Sequence, residues 1–413
     1  MTESILEPAL RETRPAAPRS LHHEVVIVGG GTAGLTVAAR LARGRNGIDA
    51  AVIEPSTVHY YQPLWTLVGG GVGTLAGTAR PEAALVPDGV TWIRDAVESF
   101  DPSENRVVTA DGTEVRYELL VVAPGIELDW DRVPGLRSAL ETPQVSSNWS
   151  EGHVEKTWRL IRELRGGTAL FTFPSTPVKC PGAAQKIAYL ADDHWRRSGV
   201  RDAVRLVYAA ASPRIFGVEK YARTLEHVVE RKGIEASYRL DLVEVLPDER
   251  EAVLSHLDTG EETRIRYDLL HVTPHQRAPR VVRESALADG AGWVEVDRHT
   301  LQHVRYPNVF SLGDASSAPT SKTGAAVRAQ APVVVQNLLA ARRGLPLPGR
   351  YDGYTACPLV TGYGKLVLAE FDYDLRPRET FPFDQSKERW SMYQLKRHGL
   401  PLLYWNGMLR GRA

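Results

Sequence analysis

The chain has 413 residues, with 50 Lys and Arg set against 50 Asp and Glu, so its formal net charge is zero. That balance excludes bulk attraction to nucleic acid. Two cysteines in a chain this long exclude a disulfide scaffold and a multi-cysteine zinc site.

The length allows two domains and a tail. No apolar run approaches the roughly 18 residues needed to span a bilayer, and the twelve histidines show no metal-ligand spacing. Residues 1–22 mix Glu3, Glu7, Arg11, Glu12, Arg14 and Arg19 with prolines. They lack the apolar centre of a signal peptide and are predicted to be a flexible N-terminus. Glu24–Val28 then reads as a buried strand. It runs into Gly29-Gly30-Gly31-Thr32-Ala33-Gly34, followed by a helical pattern through Leu35, Ala38, Leu41 and Ala42. A second strand, Ala50–Ile53, ends in Glu54, an acid about 20 residues beyond the glycines. This is the dinucleotide fingerprint in register. Glycines let backbone N–H groups approach a pyrophosphate at a helix N-terminus, and the acid accepts from a ribose.

Leu119–Val122 is a buried strand entering the tight turn Ala123-Pro124-Gly125, and Asn308–Leu312 is a strand running into Gly313-Asp314. In flavoprotein reductases with two dinucleotide folds, these pieces resemble the crossover and the segment whose Asp binds the flavin ribityl chain. Their order implies one FAD domain interrupted by a second domain. A nicotinamide-binding partner domain needs its own glycine loop. The corresponding strand, Val204–Ala209, is followed instead by Ala210-Ala211-Ser212-Pro213. Side chains there obstruct close approach of a pyrophosphate, so the expectation is FAD without NAD(P)H.

The cysteines lie in Pro177-Val178-Lys179-Cys180-Pro181-Gly182 and in Tyr354-Thr355-Ala356-Cys357-Pro358-Leu359. Each is followed by proline, which suits the first position of a helix, so each is expected at or near a helix N-cap. There the helix dipole favours a thiolate, and Lys179 adds positive charge beside Cys180. Two readings stand: a redox pair, or two unrelated buried cysteines. The tail from Asp384 carries Trp390, Met392, Tyr393, Leu395, Leu400, Leu402, Leu403, Tyr404, Trp405, Met408 and Leu409, interleaved with Lys387, Arg389, Lys396, Arg397, Arg410 and Arg412. Two readings stand here as well: a segment lying in a membrane interface, or helices packed on the protein or on a second subunit.

From residue 22 to 413 the chain resembles the sulfide:quinone oxidoreductase family, in the branch that includes the mitochondrial enzymes. The resemblance rests on long strings: Tyr60-Tyr61-Gln62-Pro63-Leu64-Trp65 with Gly69-Gly70-Gly71, Phe171-Thr172-Phe173-Pro174 with Thr176–Cys180, Lys322-Thr323-Gly324-Ala325-Ala326-Val327, and Tyr354–Tyr363. Other branches carry a third cysteine near the N-terminal flavin region. Its absence fits the two-cysteine branch and argues against covalent FAD attachment.

The resemblance implies an α/β protein of two Rossmann-like domains with a C-terminal amphipathic membrane-contact segment. The FAD-binding domain would be discontinuous, 23–145 and 290–350. A second domain without a nucleotide loop would span 146–289, and a redox-cysteine and quinone-contact region 351–413. Gly29, Gly31, Thr32, Ala33 and Gly34 would hold the pyrophosphate and Glu54 the adenosine ribose. Val97 would contact adenine, Ala123 and Gly125 would form the crossover turn, and Gln62 would approach the cofactor. Asp314 would bind the ribityl chain. Lys322 and the N–H groups of Thr323, Gly324 and Ala325 would face the flavin pyrimidine edge and stabilise reduced flavin. No metal is implied.

The implied reaction starts from a sulfur bridge between Cys180 and Cys357. Hydrosulfide attacks at Cys357 and leaves a persulfide, Cys180 is released to deliver two electrons to FAD, and a quinone (ubiquinone or menaquinone) takes them. A small acceptor (sulfite, a thiol or sulfide itself) removes the sulfane sulfur. The expected location is peripheral, on the cytoplasmic face of a membrane, as for a bacterial-type chain without a signal peptide. Nucleic acid is not a partner, and a homo-oligomer stays open. Alternatives are a type II NADH:quinone dehydrogenase, which needs the missing glycine loop, and a non-catalytic flavin-binding sulfide sensor.

Overall fold

The computed structural model describes residues 19–44 and 47–413. Strand β1 (Ser20–Val28) is followed by helix α1 (Thr32–Arg43) and strand β2 (Ala50–Ile53). Val25–Val28 pair in parallel with Ala50–Ile53 on one side and with Leu119–Val122 on the other. A strand flanked on both edges and covered on both faces needs a continuous apolar run, which is why Val25, Val26, Ile27 and Val28 are all buried. β1 begins earlier than its apolar run predicts. Ser20–His22 pair with Glu114–Arg116, so these residues belong to the sheet rather than to a flexible terminus. Backbone pairing extends the strand there, with half-buried Leu21 packed against the edge of the core. The rest of the predicted flexible N-terminus, residues 1–18, lies outside the described residues.

The first sheet continues with β3 (Val90–Ile93), β4 (Val97–Asp101), β5 (Arg106–Thr109) and β6 (Glu114–Val122), in the order β3-β2-β1-β6-β5-β4. Val309–Ser311, far along the chain, pairs in parallel with Leu120–Val122 and completes it. A second sheet, all parallel, is ordered Val145–Ser146, Leu269–His271, Gly167–Phe173, Val204–Ala210, Glu235–Tyr238. A three-stranded antiparallel sheet covers Leu240–Leu246, Glu251–His256 and Glu262–Arg266.

Two further elements matter for the site. Helix α2 (Ala183–Arg197) packs along strand β7 (Thr355–Gly362), which forms an antiparallel hairpin with β8 (Lys365–Phe371). Cys357 and Leu359 of β7 share one buried cluster with Ala184, Ile187 and Ala188 of α2. The C-terminal segment is helical in pieces: Trp390–Gln394, a π-helical turn over Leu395–Gly399, α3 (Leu400–Asn406), and a 3-10 turn at Met408–Arg410. Among the described residues no helix is long and apolar enough to cross a membrane.

Candidate active site

The two cysteines, 177 positions apart, meet with their sulfurs 3.7 Å from each other, both as free thiols. Cys180 sits two residues ahead of Gly182, the N-cap of α2, with Pro181 between. Its φ of +53° is left-handed, an uncommon state for a residue with a side chain. Local bonds hold it there: its N–H donates to the Lys322 carbonyl at 2.9 Å, and its own carbonyl accepts from Ala183 at 2.8 Å. Cys357 departs from expectation. It is buried inside β7, opposite Ala369, and not at a helix N-cap. Pro358 is tolerated there because the hairpin is two-stranded and leaves a free edge, so this proline marks an edge strand rather than a helix start. Gly182 permits the meeting. A Cβ at that position would lie 2.8 Å from the Cys357 sulfur and 2.3 Å from Leu359 Cδ2.

The pair is electrostatically asymmetric. The Cys357 thiol donating to it holds Cys180 well below the ordinary thiol range against the opposing effect of burial, and Lys186 and Lys396 reinforce this. Cys357, as donor and buried, is pushed well above that range. Lys186 is 1% exposed, and its ammonium donates to the Cys180 sulfur at 3.1 Å. Burial opposes its charge, but the two sulfurs more than restore it and its pKa is raised. Lys396, read in the sequence as one of the interface cations, is instead buried. Its ammonium donates to the Pro63 carbonyl at 2.9 Å, and burial and Lys186 lower it to about 7. Sequence reasoning missed both lysines as site residues. For Lys186 a signal existed: a lone cation inside Ala183-Ala184-Gln185-Lys186-Ile187-Ala188, six residues past the cysteine.

Around the pair the structure gathers several of the predicted residues. Lys179 bridges in parallel to Lys322, its N–H donates to Gln276, and its ammonium donates to Gln62 Oε1 at 2.6 Å. Lys322 is half-buried over the Trp293 ring at 3.8 Å and is not a solvated surface lysine. Its ammonium donates to the carbonyls of Asp314 (2.6 Å) and Ser316 (3.1 Å). Burial lowers it to about 8. Thr323 caps the helix Gly324–Ala341 by accepting from Ala326 N–H at 3.0 Å, and its hydroxyl meets Thr355 at 2.8 Å. Gly324 faces open space, with half-buried Ala325 beside it. Asp314 is also here. Burial raises it, partly offset by Lys322 and Lys179, and among the described residues no donor reaches its carboxylate.

The glycine loop lies at the β1–α1 junction. Gly29 has φ +99°, and a Cβ there would strike the Ala123 carbonyl at 2.4 Å. At Gly34 a Cβ would strike the Gly29 carbonyl at 1.9 Å, whereas Gly31 opens onto free space. Ala33 is buried, and Thr32 opens α1. Glu54 accepts from the N–H of Gly30 and of Ser56, each at 2.7 Å, and burial raises its pKa. Ala123 N–H donates to Val28 at 2.8 Å, and Gly125 turns at φ +81°. Val97, half-buried, opens β4 opposite Thr109. The open cradle at Gly31 and the unpaired Asp314 carboxylate are what a dinucleotide with a polyol chain requires, so these residues fit FAD. In the second sheet, Ala210 and Ala211 are buried where a nicotinamide loop would need glycines.

Two cavities open on the elements that carry the site. One of about 320 Å³ is lined by Pro177, Pro181, Lys322, Phe371 and Tyr373. The other, about 650 Å³, lies between Trp158, Arg197, Tyr363, Trp390, Tyr393 and Arg397.

Residues 23–164 match the pyridine nucleotide-disulphide oxidoreductase family. The chain is similar to the mitochondrial sulfide:quinone oxidoreductase of Mus musculus, 47% identical over 391 residues that cover 94% of this chain and 87% of that one. It is also similar to the mitochondrial sulfide:quinone oxidoreductase of Dictyostelium discoideum, 48% identical over 392 residues, with coverage of 94% and 86%. In fold it is similar to the X-ray structure of the sulfide:quinone oxidoreductase from Aquifex aeolicus. The TM-score is 0.79 at 20% identity, covering 94% of this chain and 92% of that one.

Proposed function

Since the chain belongs to the sulfide:quinone oxidoreductase family, we propose that Cys180 and Cys357 are the residues on which it oxidises sulfide. The protein is an FAD-dependent enzyme with sulfide and quinone as its substrates. The observation that carries the residue assignment is the 3.7 Å approach of the two sulfurs beside buried Lys186.

In the oxidised state the two cysteines share a sulfur–sulfur bond. Hydrosulfide attacks the Cys357 sulfur, that bond breaks, and Cys357 becomes a persulfide while Cys180 leaves as a thiolate. Lys186, and Lys396 when protonated, stabilise that thiolate as leaving group. A nucleophilic acceptor (sulfite, a thiol or sulfide) takes the outer sulfur from Cys357, which remains as a second thiolate. Re-forming the disulfide from the two thiolates releases two electrons. When bound, FAD would supply the two-electron acceptor for that step and the donor for quinone. The 320 Å³ cavity beside Pro181 supports an approach of the small acceptor from that side.

FAD would be held by Gly29, Gly31, Thr32, Ala33 and Gly34 at its pyrophosphate, by Glu54 and Val97 at the adenosine, and by Ala123 and Gly125 at the crossover turn. Asp314 would take the ribityl chain, with Gln62, Lys322, Thr323, Gly324 and Ala325 beside the ring. Residues 23–145 with 290–350 would form the FAD-binding domain and 146–289 the second domain. The C-terminal region, 351–413, would reach the membrane surface, with quinone arriving by the 650 Å³ cavity. Exposed Trp390 and Leu402 support that contact. The protein would sit peripherally on the cytoplasmic face, which protease protection of sealed vesicles tests.

The deciding experiment is anaerobic. Sulfide should bleach the flavin of the purified protein, NADH should not, and Cys180→Ser or Cys357→Ser should abolish bleaching. Bleaching that persists in both variants would remove the cysteines from the reaction.

A further inference from the structure

The chain's last helix reaches back to the glycine loop. Tyr404 of α3, 3% exposed, shares a 2.9 Å hydrogen bond with the Thr32 hydroxyl at the first turn of α1. The same Tyr404 hydroxyl lies 2.5 Å from His59 Nε2, and His59 Nδ1 lies 3.2 Å from Glu82 Oε2. His59 and Glu82 are buried, at 5% and 1% exposure, and Glu82 Oε1 has no hydrogen-bond partner among the described residues. Around this line the Tyr404 ring packs on Tyr61 (centroids 4.4 Å apart) and Trp405, with Arg80 over Trp405 at 5.1 Å. Beyond it the terminus follows α1: a Cβ at Gly411 would meet the Ala39 carbonyl at 2.5 Å, and Arg40 donates to the Ala413 carbonyl.

The line Glu82–His59–Tyr404–Thr32, buried up to the half-buried Thr32, admits two arrangements of its hydrogens. With one proton on His59, at Nδ1, the Tyr404 hydroxyl donates to His59 and Thr32 donates to Tyr404. With a further proton on Nε2, His59 Nδ1–H still donates to Glu82 while Nε2–H donates to Tyr404, and the hydroxyl hydrogens of Tyr404 and Thr32 turn around. Tyr404 then donates to Thr32, and the Thr32 hydroxyl hydrogen is free to donate to an anion in the glycine cradle. A diphosphate there favours the second arrangement, because it supplies the acceptor that arrangement needs.

We propose that Tyr404 is a cofactor-positioning residue: the C-terminal helix latches the glycine loop, and latching and binding of the FAD diphosphate strengthen each other. The proposal rests on the assignment of FAD to this loop. Exposed Leu402 lies on the same helix as Tyr404, so the latch and the proposed membrane contact are parts of one element.

The test is FAD release from the intact holoenzyme, followed as the rise in free-flavin fluorescence on dilution. Tyr404→Phe removes one oxygen and keeps the ring packing. Of the two bonds this breaks, the one to Thr32 bears on the cofactor, and its loss should weaken FAD retention roughly 2- to 12-fold. Thr32→Val should give a loss that does not add to that of Tyr404→Phe, since the tyrosine acts through the threonine. By reciprocity FAD should slow proteolysis of residues 390–413 in wild type more than in Tyr404→Phe. His59→Gln provides a second break in the line if Tyr404→Phe folds poorly. Unchanged FAD retention in Tyr404→Phe, or additive losses with Thr32→Val, would overturn the latch. Wild-type protein that holds no FAD would instead overturn the cofactor assignment on which it rests.

Discussion

Lys186→Met removes the ammonium that donates to the Cys180 sulfur while keeping most of a buried side chain's volume. At 3.1 Å and an effective dielectric of about 20, a unit-charge pair is worth about 5 kcal/mol. The cost of burying the ammonium opposes that figure, and a charge-assisted hydrogen bond nets about 1.5–3 kcal/mol. At about 1.4 kcal/mol per tenfold, thiolate formation at Cys180 should become about 10- to 150-fold less favourable. The assay is the pH profile of iodoacetamide alkylation, measured anaerobically on reduced protein carrying Cys357→Ser. There Cys180 is the single thiol, and serine can still donate to it. The profile should move to higher pH by the same factor in proton concentration. Coincident profiles with and without Lys186 would refute the reasoning. They would leave the neighbouring hydroxyl and Lys396 as sufficient to hold the thiolate.

Gly182→Ala places a methyl 2.8 Å from the Cys357 sulfur and 2.3 Å from Leu359. Relief must displace the Leu359 methyl and the Cys357 sulfur, so disulfide formation on mild oxidation should fall, with about 1–3 kcal/mol lost in stability. Normal disulfide yield, read by mass spectrometry after alkylation, would refute it. Lys396 titrates near 7 because it is buried beside Lys186, whereas a lysine in the unfolded chain titrates near ~10.4. Between those values the unfolded chain binds a proton that the native state lacks, so this residue's contribution to stability rises with pH from about 7 to about 10.4. Lys396→Met should therefore melt higher than wild type at pH 7, by a margin that shrinks toward pH 10, and a constant margin would show the lysine stays charged. Trp390→Ser with Leu402→Ser removes the two large apolar side chains exposed on the C-terminal segment. Flotation with phospholipid vesicles should drop several-fold, and undiminished flotation would move the membrane contact elsewhere.

Much was legible in local sequence because local physics decided it. The run Glu24–Val28, the glycines, the helix through Leu41 and the acid at 54 follow from chain periodicity and from the backbone freedom of glycine. The structure keeps them within a few residues. The missing glycines after Val204–Ala209 were equally local. What the sequence left open was the environment of each site residue. Cys357 and Cys180 look alike in sequence, each before a proline, yet one lies in an edge strand and the other ahead of a helix. Proline excludes a hydrogen-bonded interior position but does not choose among the positions that remain.

Lys396 carries the same local signature as Arg397, a cation in an amphipathic tail, yet it is buried while Arg397 is exposed. Tyr404 gave no sign of its bond to Thr32, 372 positions away. Sequence alone determined which chemistries were present: a dinucleotide cradle, two thiols and a tail of aromatics and cations. Only the tertiary structure decided which of them meet, because strand pairing and the packing of α2 on β7 bring together residues that no periodicity relates. Burial in that packed interior opposes charge on each sulfur and each ammonium, and the neighbours brought into contact there decide which of them carries one.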